Sequence, residues 1–458
     1  MIKPLQLSSL ESSLNGQLHG QDQVVRGGSI DTRTLKQGDL FVAIEGARFD
    51  GHGYLEQAQT AGAVAAVTHR FMEGMSLPQI VVADTGVALG QLGALNRDFF
   101  QGTLMGVTGS CGKTSVKEML LSIFSEQDRT MATEGNFNNE FGVPLTLFRI
   151  EAEDRYAVIE LGTSSPGEID YIARMSRPDI ALITNADETH LADLINVEGV
   201  AQEKGYILDA LSPEGIAVLN LDDHFFKAWE QRAQKSSRQS VVSFSFSDSK
   251  ADCYASGVQT TSEGMTFTLH LREQERLIHL SFWGKHQVLN ACSAAAVALA
   301  AHLPLDIIVQ GLENARPYQR RGQRFSLPSG AMLIDETYNA NPRATLAAID
   351  QLADCKGRTV MVLGDMLDLG EVSDARHQEV GEYAQQCGVD EFLSFGPSAK
   401  IASTAFGEGR HFHEKGALID WLHSNLAEDV TVLVKGSRGM KMLDVIRALA
   451  GSDYKGEA

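Results

Sequence analysis

A short glycine-rich segment carries the clearest chemistry in the sequence. Residues 106–115 read GVTGSCGKTS and stand between an apolar strand pattern and an amphipathic helix pattern. Glycines allow the backbone to turn so that several N–H groups face phosphate oxygens. Lys113 supplies a cation for the terminal phosphates, and the Thr114 hydroxyl suits Mg²⁺. The segment therefore predicts a nucleoside triphosphate site. Its candidate binding residues are Gly109, Ser110, Cys111, Gly112, Lys113, Thr114 and Ser115.

The segment departs from the strict P-loop pattern at one position. The pattern G-x-x-x-x-G-K-[ST] requires glycine five residues before Gly112, where this chain has Val107 and places its glycine one residue earlier. The flanking patterns still fit, because apolar residues from 116 to 124 recur at i, i+3, i+4, i+7 and i+8. A P-loop does not select a reaction by itself, since kinases, motors and ligases all carry one. Residues elsewhere in the chain must decide.

Alternating strand and helix patterns must position this loop. Beyond the P-loop strand, apolar strand patterns at 156–161, 180–184 and 216–219 are separated by helical patterns, which predicts βαβ units and a largely parallel sheet. Residues 238–283 instead alternate polar and apolar side chains, which predicts an antiparallel insertion on one side of this sheet. A second strand and helix series after the Arg-, Gly- and Pro-rich segment 313–328 predicts another parallel α/β unit.

The length of 458 residues fits about three domains at roughly 150 residues each. We expect an α/β fold with a small N-terminal α/β domain over 1–100. A central P-loop ATPase domain with the antiparallel insertion is predicted over 101–314, and a C-terminal Rossmann-like domain over 315–458. A site formed where domains meet would require closure, which we expect as rotation about residues near 100 and 315.

Composition excludes several classes of function. The formal charge of −20 opposes non-specific binding to nucleic acid or anionic membranes, although a local basic pocket can still hold an anionic substrate. The five cysteines form no CxxC pair, which argues against a disulfide framework and a structural zinc site. The N-terminus lacks a signal-peptide pattern, and no apolar run approaches the ~18–20 residues of a membrane span. These features predict a cytoplasmic protein.

Further motifs in this order resemble the Mur ligase family over more than 400 residues, from about 29 to 447. The last three are the most specific, because they resemble the members that add D-alanyl-D-alanine rather than their sister enzymes. The motifs are EGNFNNEFGVPLT (134–146), ELG (160–162), ITNADETHL (183–191), EKG (203–205), GKHQVLNA (284–291), DETYNANP (335–342), VLGDMLDLGE (362–371) and LVKGSRGM (433–440).

The resemblance implies an ATP-dependent ligase that joins D-alanyl-D-alanine to UDP-N-acetylmuramoyl-tripeptide in cell-wall synthesis. In this family ATP phosphorylates a carboxylate, and the amine of the second substrate attacks the acyl phosphate. The implied cofactors are ATP, two Mg²⁺ ions and a carbamylated lysine at 204. The implied partners are the two substrates, with no nucleic acid and no membrane span, and we expect a monomer.

The resemblance also assigns the catalytic and metal-binding residues. Glu160 ends a strand beside the P-loop strand and matches the glutamate that binds the first Mg²⁺ with the P-loop hydroxyl. His190 matches the histidine at the second Mg²⁺. Lys204 matches the lysine whose carbamate ligates Mg²⁺. The catalytic set is Lys113, Glu160, His190 and Lys204, and the metal set is Thr114, Glu160, His190 and carbamylated Lys204.

The implied contacts to ATP lie on three segments. His286 and Asn290 match the helix start that contacts adenine, with Asn290 as the main candidate. Arg321 matches a linker arginine that reaches the γ-phosphate; because Arg320 precedes it where glycine is usual, Arg324 is the alternative. The loop after the next strand, which closes over ribose and phosphates, supplies Asp335 and Tyr338.

The implied contacts to the other substrates come from all three domains. The first domain carries candidates that would contact the UDP-sugar. Its arginines could pair with the diphosphate of that substrate. The Asn-rich loop of the middle domain matches a substrate-contacting loop, and C-terminal cations could pair with the dipeptide carboxylate. The candidates are Ser29, Arg33, Arg48, Asn138, Asn139, Asn339, Asp365, Lys435 and Arg438.

Three alternatives stay open at this point. A sister ligase would keep the P-loop, Glu160, His190 and Lys204 without showing YNANP and KGSR together. A P-loop kinase or ATPase would turn over ATP without an amine acceptor. A nucleotide-dependent binding protein would need no cluster of metal ligands around the phosphates.

Overall fold

The computed structural model has a three-domain α/β architecture, as the sequence predicts. Two predicted site residues, Arg48 and His190, lie outside the described residues. None of the helices within the described residues is long and apolar enough to cross a bilayer. The structure describes residues 1–46, 49–189, 191–234, 240–451 and 454.

The N-terminal domain is built on a mostly parallel sheet in the order β2-β9-β8-β5-β4, in which only β2 runs antiparallel to its neighbour. Small antiparallel pairs, β1–β3 and β6–β7, flank it. The elements are β1 (Leu5–Gln6), α1 (Leu7–Ser13), β2 (Gln17–His19), β3 (Val24–Val25), β4 (Gly27–Ser29), β5 (Asp39–Val42), β6 (Glu45–Gly46), β7 (Phe49–Asp50), α2 (Leu55–Thr60), β8 (Ala65–Thr68), β9 (Gln79–Val81) and α3 (Thr85–Phe99).

The central sheet holds the P-loop strand β10 between β12 and β13. Its order over the described residues is β11-β12-β10-β13-β14-β15-β16-β17-β18. The elements are β10 (Thr103–Thr108), α4 (Lys113–Ser125), β11 (Thr130–Ala132), α5 (Gly142–Phe148), β12 (Tyr156–Glu160), α6 (Glu168–Ser176), β13 (Ile180–Ile183), α7 (Leu191–Leu194), α8 (Val197–Asp209), β14 (Ile216–Asn220), α9 (Phe226–Ala233), β15 (Ser240–Phe244), β16 (Cys253–Thr261), β17 (Gly264–Leu271), β18 (Gln274–Leu280), α10 (Lys285–Ala300) and α11 (Leu305–Asn314).

The antiparallel part of this sheet begins later than the alternating pattern suggested. Strand β15 pairs in parallel with β14, and only β16, β17 and β18 pair as antiparallel neighbours. Alternation reports that a strand is half-buried and not its direction, so residues 240–244 could not be separated from the insertion by pattern. The insertion therefore extends the central sheet at its edge.

The predicted apolar face of α4 packs into the core of this domain. Val116, Met119, Leu120, Ile123 and Phe124 are all fully buried. They share one hydrophobic cluster with the alanine-rich helix α10, whose small side chains allow a close approach. Burying such side chains contributes about 1.5–3 kcal/mol each. This packing fixes the first turn of α4, and with it the P-loop.

The C-terminal domain has a sheet in the order β19-β20-β24-β21-β22-β23, parallel except for β19. The segment predicted as a linker over 313–328 contains regular structure at both ends, because α11 ends at Asn314 and β19 begins at Gln323. The elements are β19 (Gln323–Ser326), β20 (Met332–Glu336), α12 (Pro342–Ala353), β21 (Arg358–Gly364), α13 (Ser373–Gln386), β22 (Glu391–Phe395), α14 (Ala399–Ala405), β23 (Arg410–Phe412), α15 (Lys415–Asn425), β24 (Val430–Lys435) and α16 (Leu443–Ala450).

Helix α3 fastens the N-terminal domain to the middle domain. The Arg97 guanidinium donates from Nε to the Ser176 carbonyl at 2.8 Å and from Nη2 to Asp179 Oδ2 at 3.1 Å. The same helix packs along α5 and contacts α6. A rotation about residue 100 would break these bonds, so the packing favours movement at the second predicted hinge, near residue 315.

Replacing Asn96 by alanine tests this attachment. The buried amide donates to the carbonyls of Leu147 and Ile150 at 2.8 and 3.0 Å and accepts from the Ile2 N–H at 2.9 Å. Asn96→Ala leaves these buried groups unpaired, so we expect unfolding to become easier by about 1–3 kcal/mol, measured as a lower Tm. Asn314→Ala removes an exposed amide, so its free energy of unfolding should stay within about 0.5 kcal/mol of that of the unmodified protein. Equal losses for both variants would contradict the assigned role.

Candidate active site

A cavity of about 580 Å³ lies between the middle and C-terminal domains. The carboxyl ends of the parallel strands in the two sheets open onto it, as expected for ligand sites in α/β folds. Every P-loop candidate except Gly109 lines it. The other predicted site residues in its wall are Asn138, Asn139, Glu160, His286, Asn290, Arg321, Tyr338, Asn339, Lys435 and Arg438.

The P-loop depends on two glycines with positive φ. Gly109 has φ +149°, and a Cβ there would lie 1.8 Å from the Thr184 hydroxyl oxygen. Gly112 has φ +88°, and a Cβ there would lie 2.5 Å from Asn290 Oδ1. A larger residue at either position would be strained and would collide with its neighbour. The glycine shifted by one residue at 106 lies inside β10 and leaves the turn itself intact.

The end of β13 fixes the backbone of the loop. The N–H groups of Ser110 and Cys111 donate to the carbonyl and side-chain oxygens of Asn185, at 3.0 and 2.9 Å. The Thr184 hydroxyl donates to the Cys111 carbonyl at 2.6 Å. The segment after the neighbouring strand therefore holds the P-loop in shape. This favours phosphate binding, because less conformational entropy is lost when the ligand binds.

Burial disfavours the charged form of Lys113, and an opposing carboxylate partly offsets this effect. Its ammonium donates to the Gly109 carbonyl, and burial lowers the pKa of Lys113 while Glu160 raises it. Glu160 is itself buried and accepts from the Thr114 hydroxyl at 3.0 Å and from Asn138 Nδ2 at 2.9 Å. The arrangement places a cation, a carboxylate and a hydroxyl next to the turn that would hold phosphates.

This set fits a magnesium ion. The hydroxyl of Thr114 and the carboxylate of Glu160 are hard oxygen donors of the kind Mg²⁺ prefers, and they already face each other. Among the described residues, no group of three His, Cys, Asp or Glu side chains could hold a metal by itself. Phosphate oxygens and water normally complete a Mg²⁺ site, so few protein ligands are required. His190, the other predicted ligand, lies outside the described residues.

Lys204 lies on α8 and is buried, with 2% of its surface exposed. Burial, with repulsion from Lys113, lowers the pKa of Lys204 to about 7. Near pH 7, the Lys204 amine is then neutral and nucleophilic in a substantial fraction of the molecules. The neighbouring Glu203 takes a different role, because it accepts the N–H groups of Gly167 and Ile169 at the start of α6.

The C-terminal domain contributes cations to the opposite wall. Arg321 packs its guanidinium 3.9 Å from the centre of the Tyr338 ring, and among the described residues its buried Nε has no hydrogen-bond partner. Lys435 is 3% exposed and donates to Glu336 Oε2 at 3.2 Å and to the Asn339 carbonyl at 3.1 Å.

The neighbouring arginines are engaged elsewhere. Arg320 donates to the Thr337 carbonyl at 2.8 Å. Arg324, the alternative to Arg321, lies 4.3 Å from the centre of the Trp283 ring. Of the four arginines in the described segment 313–328, the cavity is lined by Arg321.

Adenine candidates line the helix start of α10. Burial lowers the pKa of His286, which favours the neutral imidazole. Asn290 is buried and donates to Gln287 Oε1 at 3.0 Å. A neutral ring and an amide can recognise a base without placing another charge in the site.

Two C-terminal candidates lie outside the cavity wall. Asp335 is fully buried and accepts from Thr337 and from the Tyr454 hydroxyl at 2.9 Å, and burial raises the pKa of its carboxyl. Asp365 accepts the Ala399 N–H at 2.7 Å, at the start of α14. Both carboxylates are used within the domain in this arrangement.

The N-terminal candidates also lie away from this cavity. The Ser29 hydroxyl is buried and pairs with the Thr34 hydroxyl at 2.7 Å. The Arg33 side chain is 85% exposed and pairs with Asp31 of the same turn. The structure does not bring them together with the P-loop.

Sequence reasoning missed several residues of the wall, among them Glu336 and Asn341. Glu336 follows Asp335 on β20, and successive side chains of a strand point to opposite faces, so only one of the two can face the cavity. Asn341 lines the cavity and accepts the Ala344 N–H at 2.8 Å as the N-cap of α12. The Asn-Pro pair was the available signal, because Asn at N-cap with Pro at the first helical position is a common helix start.

Comparison with known proteins adds to this geometry. The model described as Mur ligase family, catalytic domain matches residues 24–94, and the Mur ligase middle domain matches 107–298. The Mur ligase, glutamate ligase domain matches 320–438. The three matches follow one another in chain order.

Similar proteins extend over almost the whole chain. UDP-N-acetylmuramoyl-tripeptide–D-alanyl-D-alanine ligase of Escherichia coli (strain K12) is 40% identical and covers 97% of this chain and 98% of its own. The ligase of that name from Bacillus subtilis (strain 168) is 33% identical, covering 94% of each chain. A crystal structure of MurF from Acinetobacter baumannii superposes with a TM-score of 0.91 at 32% identity, covering 98% of this chain and 99% of that one. From these relatives and from its three domain matches, the chain belongs to the Mur ligase family.

Proposed function

We propose that this chain is an ATP-dependent ligase that joins D-alanyl-D-alanine to UDP-N-acetylmuramoyl-tripeptide, forming the pentapeptide precursor of peptidoglycan. The observation that carries the proposal is the cavity, in which a P-loop and Glu160 face the cationic loops of the C-terminal domain. Similarity to ligases of this name over almost the full chain supports the choice of substrates.

The proposed chemistry has two steps. A carboxylate oxygen of the tripeptide attacks the γ-phosphorus of ATP, which gives an acyl phosphate and ADP. The neutral amine of D-alanyl-D-alanine then attacks the acyl carbon through a tetrahedral intermediate. Phosphate leaves with the electron pair of the broken C–O bond, the nitrogen loses a proton, and an amide remains. Phosphorylation is required because a carboxylate by itself is a poor electrophile.

The chain's own residues hold and orient the anions. P-loop N–H groups and Lys113 bind the phosphates, and Arg321 stabilises charge on the transferred group. Magnesium would be held by Thr114 and Glu160, with His190 and carbamylated Lys204 as further proposed ligands. When bound, it neutralises phosphate charge and fixes phosphate orientation.

Other parts of the prediction remain proposals. The contacts assigned to Ser29, Arg33 and Asp365 for the other substrates and to Asp335 for ATP would require domain movement or ligand binding to form. The contact proposed for Arg48 lies outside the described residues. We keep the domain limits 1–100, 101–314 and 315–458, and we propose a cytoplasmic protein. We propose a monomer, because the middle and C-terminal domains of a single chain both line the cavity.

The rival functions differ in what they predict for ATP. A kinase or ATPase would release ADP without an amine acceptor, and a nucleotide switch would turn over slowly without either substrate. A sister ligase would require another amino acid in place of the dipeptide. The specific observation favouring dipeptide ligation is the identity to ligases with that printed name, which exceeds 30% over nearly the whole chain.

Phosphate release decides between these functions. With Mg·ATP and UDP-muramyl-tripeptide present, we expect release to depend on D-alanyl-D-alanine and to match pentapeptide formation one to one by mass spectrometry. Phosphate released equally without the dipeptide would favour an ATPase. Turnover only with a different amino acid would favour a sister ligase.

Arg321→Ala tests the phosphate role of the linker. Removing the one linker guanidinium seen in the cavity wall should lower kcat on the order of 100-fold. Arg316→Ala is the matched control, because that exposed arginine donates to the Glu313 and Ala315 carbonyls outside the cavity. Similar kcat values for both variants and the unmodified protein would remove Arg321 from the mechanism.

Lys204→Ala tests the carbamate. We expect activity to fall on the order of 100-fold and to recover partly with a short-chain carboxylic acid, which supplies the missing oxygen ligand. Lys227→Ala is the control, since that side chain is 77% exposed. Undiminished activity in Lys204→Ala would contradict the proposal.

The carbamate should also depend on pH. Only the neutral amine reacts with CO₂, and the pKa of Lys204 is lowered to about 7. The neutral fraction, and with it a ¹³C carbamate signal in labelled bicarbonate, should therefore rise as pH increases from 6 to 8. The signal should be missing in Lys204→Ala. An equal signal in Lys204→Ala would place any carbamate at another amine.

A further inference from the structure

The loop of residues 186–189 is attached to both walls of the cavity. It follows β13 and immediately precedes position 190, the predicted second metal ligand. Its side chains reach into the C-terminal domain, whereas its backbone is tied to the middle domain. The attachments on each side are specific enough to infer a role.

The first attachment to the C-terminal domain is a two-pronged ion pair. Arg376 of α13 donates from Nε to Glu188 Oε2 and from Nη2 to Glu188 Oε1, each at 2.5 Å. The arginine side chain is 33% exposed and the glutamate 23%. Arg376 also donates to Glu379 Oε2 of its own helix at 2.7 Å, which orients the guanidinium.

Two further contacts run in the same direction. Arg343 of α12 donates from Nη1 to Asp187 Oδ2 at 2.9 Å. At the P-loop itself, Asn341 donates from Nδ2 to Cys111 Sγ at 3.3 Å. The C-terminal helices α12 and α13 therefore contact both the P-loop and the loop beside it.

The middle domain holds the same loop from behind. The Ser110 hydroxyl accepts the Asp187 N–H at 2.9 Å and lies 3.1 Å from the Thr189 hydroxyl. The Ala186 N–H donates to Asp223 Oδ2 at 2.9 Å. A displacement of the loop would therefore also disturb the P-loop.

We propose that Arg376 and Arg343 are positioning residues that clamp loop 186–189 when the C-terminal domain closes. The clamp couples closure to the position of loop 186–189 beside the P-loop, and in this sense the inference rests on the proposed function. Arg376 is not among the residues that line the cavity, whereas Arg343 is. Their effect passes through the carboxylates of Glu188 and Asp187.

The geometry separates these pairs from ordinary surface ion pairs. An exposed pair such as Arg174–Asp170, with side chains 62% and 34% exposed, is expected to contribute little. The Arg376–Glu188 pair is bidentate, partly buried and joins residues 188 positions apart. A second pair, Arg343–Asp187, makes a single hydrogen bond, with side chains 50% and 26% exposed. Because both pairs converge on consecutive residues of one loop, their effects should reinforce each other.

The test uses three variants: Arg376→Ala, Arg376→Lys and a charge-swapped double variant. The double variant carries both Glu188→Arg and Arg376→Glu. We expect Arg376→Ala to raise the Mg²⁺ concentration for half-maximal rate by roughly tenfold, with a smaller change in kcat at saturating Mg²⁺. Lysine should restore part of the loss, and the swap should restore more than either single change. Arg174→Ala is the control and should match the unmodified protein.

A second measurement does not depend on turnover. Small-angle scattering with a non-hydrolysable ATP analogue should give a larger radius of gyration for Arg376→Ala than for Arg174→Ala. High salt should enlarge the unmodified protein toward the same value, because it screens the clamp. An inactive unmodified protein would overturn the proposed function, while scattering would still decide the clamp. Identical scattering and identical Mg²⁺ dependence in Arg376→Ala and the control would overturn the clamp.

Discussion

Concentration of positive charge in an acidic chain is the constraint on which this structure depends. A site for several phosphates and carboxylates needs cations, yet Lys113 and Lys204 are buried close enough to repel each other. Glu160 opposes Lys113 from the next strand, and Glu336 pairs with Lys435 on the other wall. Lys113 and Lys435 thus each face a carboxylate before substrate arrives, whereas burial and repulsion disfavour the charged form of Lys204. The formal charge of −20 keeps other polyanions away without weakening this local field.

The arrangement of the sheets follows from the same requirement. Parallel strands end on one edge, so β10, β12 and β13 deliver the P-loop, Glu160 and loop 186–189 to a single place. In the C-terminal domain, β20 and β24 deliver Glu336 and Lys435 side by side, as a registered pair. Two such edges facing each other can surround a polyanion, which one sheet edge cannot do.

The sequence predicted the local parts of this site well. The P-loop is determined by neighbouring residues, so its turn, its helix and the apolar face of α4 could be read directly. Glu160 and Lys204 were proposed through the family resemblance, since a strand-end glutamate and a helical lysine carry little signal alone. Glu160 lines the cavity, whereas Lys204 is buried on α8 and is not among the lining residues. The low pKa of Lys204 depends on burial, which no local pattern reports.

The features that the sequence did not predict depend on the direction of a side chain or strand, or on contacts between residues far apart in the chain. The choice between Asp335 and Glu336 follows from which face of β20 meets the cavity, and that is set by packing rather than by composition. The direction of β15 is likewise invisible to alternation. The Arg376–Glu188 pair joins residues 188 positions apart, and each charge alone looks like a solvated surface residue.

Loop 186–189 shows why the remaining information is tertiary. Its backbone bonds to Ser110 make it part of the P-loop, whereas its side chains belong to the interface with the C-terminal domain. A loop held by one domain alone could adopt several positions at the phosphates. Holding it from both sides makes its position depend on the distance between the domains. The attachment of α3 to the middle domain leaves the C-terminal domain as the part free to change that distance. The geometry of the site then depends directly on the position of the C-terminal domain. Closure of that domain would exclude water at the same moment that it gathers the anions.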